Sequence, residues 1–309
     1  MPEPPHAPGA EPDARGGAAP FYAGCMPGPR RKRWITPPRW TGRLTDYVDR
    51  RMDRLPGGPE RSLEITDSWL AKSLAANGPD SWKTVNTMEA AAKRRDQVGD
   101  HEAALQLRTQ VLDKRREHLG PEHRLTLSAE YALSGTLLAL DRPDEARPLV
   151  DHTLECYVVE LGPDDPATLA ALERSARIQL QLGETGEGLL KYQRAITGFR
   201  TGGDEQRAQR ATINLGRLLL GRGDLEEALI VFRGLVDRQG RQLGPDDPAT
   251  LASLRDLALT LARLGRLHEA QVVARNLVDA TSRVHGEDHD ATVDAKALLG
   301  RIDASLDAD

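Results

Sequence analysis

With only two cysteines, Cys25 and Cys156, the chain lacks the means to build a disulfide framework or a cysteine-rich zinc site. Such cysteine usage fits a reducing cytosol, and a cytoplasmic location is expected. Aromatic residues are also scarce, at 4%. A compact single core draws on large rings, whereas stacked helices can pack with Ala and Leu. No run approaches the ~18 apolar residues of a membrane span. Met1-Pro2-Glu3-Pro4-Pro5 lacks the basic-then-apolar pattern of a signal peptide. The formal charge of -5 argues against non-specific coating of nucleic acid, which needs a basic surface. Several catalytic signatures are missing too: no phosphate-binding Gly-x-x-x-x-Gly-Lys-Ser/Thr, no His-Glu-x-x-His and no Gly-x-Ser-x-Gly. Neither a cofactor nor catalysis is expected. Arginine far outnumbers lysine, and Ala, Gly and Asp are abundant, as in proteins of GC-rich bacteria.

What is present is repetition. The phrase running from Leu161-Gly162-Pro163-Asp164-Asp165 to Ala170 returns nearly unchanged from Leu243 to Ala252. Gly78, Gly120, Gly162, Gly203, Gly244 and Gly286 lie 42, 42, 41, 41 and 42 residues apart. Half a repeat out of phase run Gly57, Gly99, Asp141, Gly183, Gly223 and Gly265. A third series, Ser62, Ala104, Ala146, Gly188, Ala228 and Ala270, holds small residues and keeps the same steps as the second, 42, 42, 42, 40 and 42. Three phase-locked series mark stacked supersecondary units.

Each unit reads as two helices. Pro and Asp after Gly162 suit a helix entrance, where N–H groups are free and the dipole is positive. Leu169, Leu172, Ala176 and Leu180 then fall largely on one face. Gly183 ends that helix, and a second, from about Glu184 to Arg200, turns Leu189, Tyr192, Ala195 and Ile196 inward. The small residue at Gly188 or Ala228 lets the two helices approach closely. One such pair cannot bury its apolar faces alone, so neighbours must stack.

The unit Asn214-Leu215-Gly216, Leu219, Gly223-Asp224-Leu225-Glu226-Glu227-Ala228, Phe232 resembles the tetratricopeptide motif in order and spacing. The ~42-residue period is similar to the repeats of kinesin light chain and of the C-terminal part of bacterial signalling NTPases. Those families often carry Asn-Asn in the first helix, where only Asn214 stands here. The resemblance implies an all-α, right-handed α-solenoid of antiparallel helix pairs with a C-terminal capping helix. The expected organisation is a Pro- and Gly-rich disordered tail over 1–42 and a degenerate helix pair over 43–78. Five repeats over 79–286 follow, then a capping helix and chain end over 287–309.

The resemblance also implies a non-catalytic adaptor or sensor that binds a peptide or partner domain on its concave face. That face is lined by the first helix of each pair. The ninth motif positions fall on Arg51, Lys93, Gly135, Arg177, Arg217, Leu259 and Arg301, of which five are basic. Tyr131 and Arg255 occupy fifth positions, and Asn86 and Arg210 second positions. The expected partner contacts are Arg177, Arg210, Arg217, Arg255, Arg301 and Tyr131. Separated guanidiniums suit acidic groups through bidentate contacts. Arg177 has Glu173 one turn earlier and would be shared with it, whereas Arg217, Arg255 and Arg301 lack an acid in the preceding turn.

Two alternatives stay open. One is a regulatory subunit acting in trans with a signalling NTPase or transcription regulator. The other is contact with nucleic acid or a membrane through the basic, tryptophan-bearing segment Arg30–Trp40, which otherwise reads as a solvated tether. His285 and His289, with Glu287, Asp288 and Asp290, superficially suggest a metal site, as do His118 and His123. Because Pro163-Asp164-Asp165 fills the same turn elsewhere, they are read as turn residues. Cys156 is read as a small buried hydrophobe.

Overall fold

The structure is a computed structural model that describes residues 58–307. The expected tail and the first helix of the degenerate pair, with Arg51, lie outside the described residues. Twelve α-helices and no strand occur among the described residues. They are α1 (Gly58–Asn77), α2 (Trp82–Gln97), α3 (His101–Leu119), α4 (Arg124–Ala139), α5 (Pro143–Leu161), α6 (Pro166–Gln181), α7 (Thr185–Thr201), α8 (Glu205–Arg222), α9 (Leu225–Gln242), α10 (Pro248–Arg263), α11 (Leu267–His285) and α12 (Asp290–Leu306). Each packs on its sequence neighbours, and α6 with α8, α8 with α10 and α10 with α12 also touch. The first helices of successive pairs therefore share one face of an all-α solenoid.

Helix ends follow the glycine register. Gly99, Gly183, Gly223 and Gly265 adopt φ of 83, 88, 90 and 73°, the left-handed region that closes a first helix. Asp141 takes that place in the second pair at φ 56°, the sole non-glycine with positive φ among the described residues. The small-residue series is equally strict: Ser62, Ala104, Ala146, Gly188, Ala228 and Ala270 are all buried. A Cβ on Gly188 would come within 2.8 Å of Leu180 Cγ, and one on Gly216 within 2.8 Å of the Phe232 ring. The helices of a pair are thus in direct contact at these points.

The turns between pairs have their own chemistry. The hydroxyls of Thr84, Thr126, Thr250 and Thr292 donate to the carbonyls of Gly78, Gly120, Gly244 and Gly286 at 2.7–2.9 Å. Thr168, in the same register, leaves its hydroxyl without such a bond. Asp165 and Asp247 cap the next helices by accepting from the Ala167 and Ala249 amides at 2.8 Å. Where the register holds histidine, the ring does this work: Nδ1 of His123 and of His289 accepts from Leu125 and Ala291 at 3.2 Å.

The two ends of the array are held together differently. Toward the N-terminal side an apolar cluster around Val85, Met88, Val111 and Leu133 is joined by buried ion pairs. Arg108 donates to Asp96 at 2.7 and 3.0 Å and to Glu89 at 3.1 Å, and Arg115 pairs with Glu89 at 3.2 Å. Glu130, 1% exposed, is bridged by Arg116 and His152 at 2.8 and 2.7 Å. Further along, Tyr192, Phe199 and Phe232 anchor an apolar core running from Leu169 to Ile302. Helix α6 joins the two parts, lending Ile178 to the N-terminal cluster and Ala176 and Leu180 to the other. Cys156 is buried.

Three stability outcomes follow from these contacts. Replacing fully buried Ala228 with Leu should overpack the α8–α9 contact and cost ~1–3 kcal/mol in chemical denaturation. Unchanged stability would mean the helices are not in contact there. Asp141→Gly should raise stability by roughly 0.5 kcal/mol, since relief of left-handed strain outweighs the looser unfolded chain. The third outcome concerns pH. Burial, then the charges of Arg124 and Arg115, hold the His123 pKa below its ordinary value. The unfolded chain therefore takes up this proton first, and its contribution to stability is lost as pH falls below the usual histidine range. Protonation also turns the Nδ1 acceptor into a donor and breaks the cap. His123→Asp should keep the cap and narrow the stability loss between about pH 7 and pH 5. Denaturation midpoints that fall in parallel for both proteins would rule this out.

Candidate functional site

The shared face of the first helices gathers the candidate residues. Arg177 on α6, Arg210 and Arg217 on α8, Arg255 on α10 and Arg301 on α12 are all exposed. Tyr131, on α4, is half-buried. Four consecutive first-helix elements thus carry exposed guanidinium groups, arrayed across the helices as the register requires.

Their partners differ from the sequence expectation in an instructive way. Arg217 has no acid in its own preceding turn, yet its Nε donates to Asp256 Oδ2 on α10 at 2.8 Å. Arg255 also reaches Asp256, at 3.6 Å. Asp256 is only 7% exposed while Arg217 is 51% exposed, so a nearly buried carboxylate orients two arginines that still face solvent. The pairing spans 39 residues, beyond any local rule. An aspartate at an inward phase of α10, next to Leu257 and Ala258, is the one signal that could have pointed to it.

Glu173 is not shared with Arg177. It accepts from the Tyr192 hydroxyl at 3.3 Å and is also bonded by Asn214. Burial raises its pKa, an effect opposed by those two bonds and by the charges of Arg174 and Arg210. Arg177 and Arg210 make no ion pair closer than 4 Å among the described residues, and the same holds for Arg301. Around Glu173 the face is accordingly basic, with a carboxylate inclined to hold its proton at the bottom.

Tyr131 is engaged within the protein. Its hydroxyl donates to the Ala170 carbonyl at 3.3 Å, and burial raises its pKa. The Arg174 guanidinium lies 3.5 Å over its ring and also bonds the Tyr131 carbonyl and, at 3.2 Å, Ser134 Oγ. Gly135 makes this possible, because a Cβ there would meet Arg174 Nη1 at 3.3 Å. The sequence register offers Gly135 as a gap in the basic series; in space Arg174 fills that gap from the next first helix. Further along, Arg263 Nη1 donates to the Leu220 carbonyl at 2.6 Å, tying α10 to α8 in the same manner.

The histidine turn that suggested a metal holds two stacked rings, His285 and His289, with centroids 4.6 Å apart. One of them is the helix cap already described, and Glu287 is bonded by Lys296. Among the described residues no group of three His, Cys, Asp or Glu side chains is placed to hold a metal ion. Nor is any described helix long and apolar enough to cross a membrane.

Comparison with known proteins places this architecture. The tetratricopeptide repeat family matches residues 125–201 and 207–275. No curated protein matches the chain. Among solved structures, nearly identical TPR-like repeats from a kinesin-light-chain candidate of Podosopora anserina align with a TM-score of 0.57 at 21% identity. The alignment covers 65% of this chain and 96% of that one. BtubC (BKLC) from P. vanneervenii aligns with a TM-score of 0.52 at 18% identity, covering 77% of this chain and 92% of its own. Residues 125–201 and 207–275 thus match the tetratricopeptide repeat, and the helix pairs of the chain stack as those of the kinesin-light-chain-like repeats do.

Proposed function

We propose that the protein is a non-catalytic scaffold that binds an acidic peptide, or an acidic segment of a partner domain, along the face formed by its first helices. The observation that carries this reading is the row of exposed guanidiniums on α6, α8, α10 and α12, in a chain of net charge -5. A long rigid surface of stacked pairs is suited to holding an extended segment. Guanidiniums at successive helices suit carboxylates spaced along it, through bidentate contacts. Arg217 and Arg255, already oriented by Asp256, would meet a ligand with little loss of side-chain freedom. Arg177, Arg210 and Arg301 supply charge that no side chain of the described protein neutralises by an ion pair.

The test is affinity capture from the native host with the wild-type chain and with Arg177→Glu/Arg210→Glu/Arg301→Glu. These residues lie on the surface and pack in no core, so the melting temperature should stay unchanged. Partners bound through the row should be lost from the variant and should elute from the wild type at lower salt than partners bound elsewhere. Retention of every partner at unchanged salt sensitivity would sink the proposal.

A further inference from the structure

On the opposite side, the second helices carry a feature that binding along the first helices does not use. Leu190 on α7, Ile230 on α9 and Val272 on α11 are 68, 73 and 59% exposed. They are 40 and 42 residues apart, one per pair, so they stand in one row at the same register of three successive second helices. In the two preceding pairs the same register holds Gln106 and Pro148, which confines the row to the C-terminal half. Three aliphatic side chains left in water at one register position of successive pairs mark an interaction surface rather than scattered exposure.

The charges beside the row say what it fits. Three residues before each aliphatic stands a glutamate: Glu187, Glu227 and Glu269. Three or four residues after it stands an arginine: Arg194, Arg233 and Arg275. All six are exposed. The surface is therefore an acidic row, an apolar row and a basic row lying parallel. A twofold axis along the apolar row would leave each aliphatic facing its own mate and would set the acidic row of one copy against the basic row of the other. A twofold axis along the helices would instead set acid against acid, which is repulsive. The pattern complements itself in one orientation.

We propose that this face is where a second copy of the chain docks, about a twofold axis running along Leu190, Ile230 and Val272. A groove of about 380 Å³ opens beside Val272, lined by Leu257 and Leu261 of α10 and by Arg233, His268, Glu269 and Val273, and it adds apolar surface next to the row. Across the axis Glu187 meets Arg194, Glu227 meets Arg233 and Glu269 meets Arg275. Arg194 bonds Asp164 and Arg233 bonds Glu269 within the chain. These are exposed pairs and exchange partners at little cost. Glu227 and Arg275 make no ion pair among the described residues. Three aliphatic side chains and their flanking charges make a small interface, below the ~800 Å² per partner of a tight dimer, so a weak association is expected. It leaves the first-helix face open for a partner on each copy.

Sedimentation velocity of the full chain over a range up to ~100 µM tests the proposal. The wild type should shift from monomer to dimer, and the shift should weaken with added salt. Ile230→Asp should weaken dimerisation at least about tenfold with an unchanged melting temperature. Glu227→Arg should weaken it too, and Glu227→Arg combined with Arg233→Glu should recover it, because acid and base exchange places across the axis. A wild type that remains monomeric throughout would overturn the proposal. If Ile230→Asp then also lowered the melting temperature, the row would be assigned to a cover from the same chain. Dimerisation undisturbed by Ile230→Asp, or not recovered by the double exchange, would equally overturn it.

Discussion

Everything in this protein depends on the fact that an antiparallel helix pair is too small to bury its own apolar faces. The pair must lean on the next, so the geometry of one contact has to be repeated without drift. That requirement explains the strictness of the small-residue series, from Ala104 to Ala270, each buried where two helices of a pair meet. It explains why a Cβ on Gly188 or Gly216 would collide with Leu180 or Phe232. It also explains why shape, more than charge or aromatic content, carries most of the repeat's identity.

Stacking places equal demands on the turns. Each pair must leave its second helix at one angle and enter the next first helix at another. The threonine-to-glycine carbonyl bond and the aspartate cap fix that passage at several turns. Histidine serves as the cap at His123 and His289 because a neutral imidazole nitrogen accepts the same backbone amide that a carboxylate would. The substitution preserves geometry, and at His123 it adds a proton-sensitive element. The clustered acids and histidines of these turns are thereby accounted for as helix entrances.

Polar and apolar means of cohesion divide the array. Asp96, Glu89, Arg108 and Arg115 cross-link α2, α3 and their neighbours, whereas Tyr192, Phe199 and Phe232 fill the later pairs. Buried ion pairs carry a desolvation cost and contribute as much to registration as to net stability. The aromatic half has fewer such constraints inside and more on its surfaces: the oriented arginines on the first-helix side and the aliphatic row on the second-helix side both belong to it. Two faces of the same three pairs thus present different chemistry, one basic and one apolar between opposite charges.

The sequence by itself determined the helical class, the two-helix unit, the period and the residues that terminate each first helix. These are local properties: a left-handed residue, a helix entrance and an apolar stripe all lie within one unit, and repetition multiplies the signal. Asp141 was legible in this way even though it is not a glycine, because the register on either side points to it. The arginine row was legible as positions. What it lacked in sequence was the environment of each position. Arg217 finds Asp256 on the following first helix, Arg174 crosses back to Gly135 and Tyr131, and Glu173 turns to Tyr192 and Asn214 instead of to Arg177. Those choices rest on distances between helices about forty residues apart, set by how the pairs stack. Only the tertiary structure could decide them, for the reason that a side chain's partner depends on the nearest charge in space, and in a solenoid that charge belongs to the next repeat.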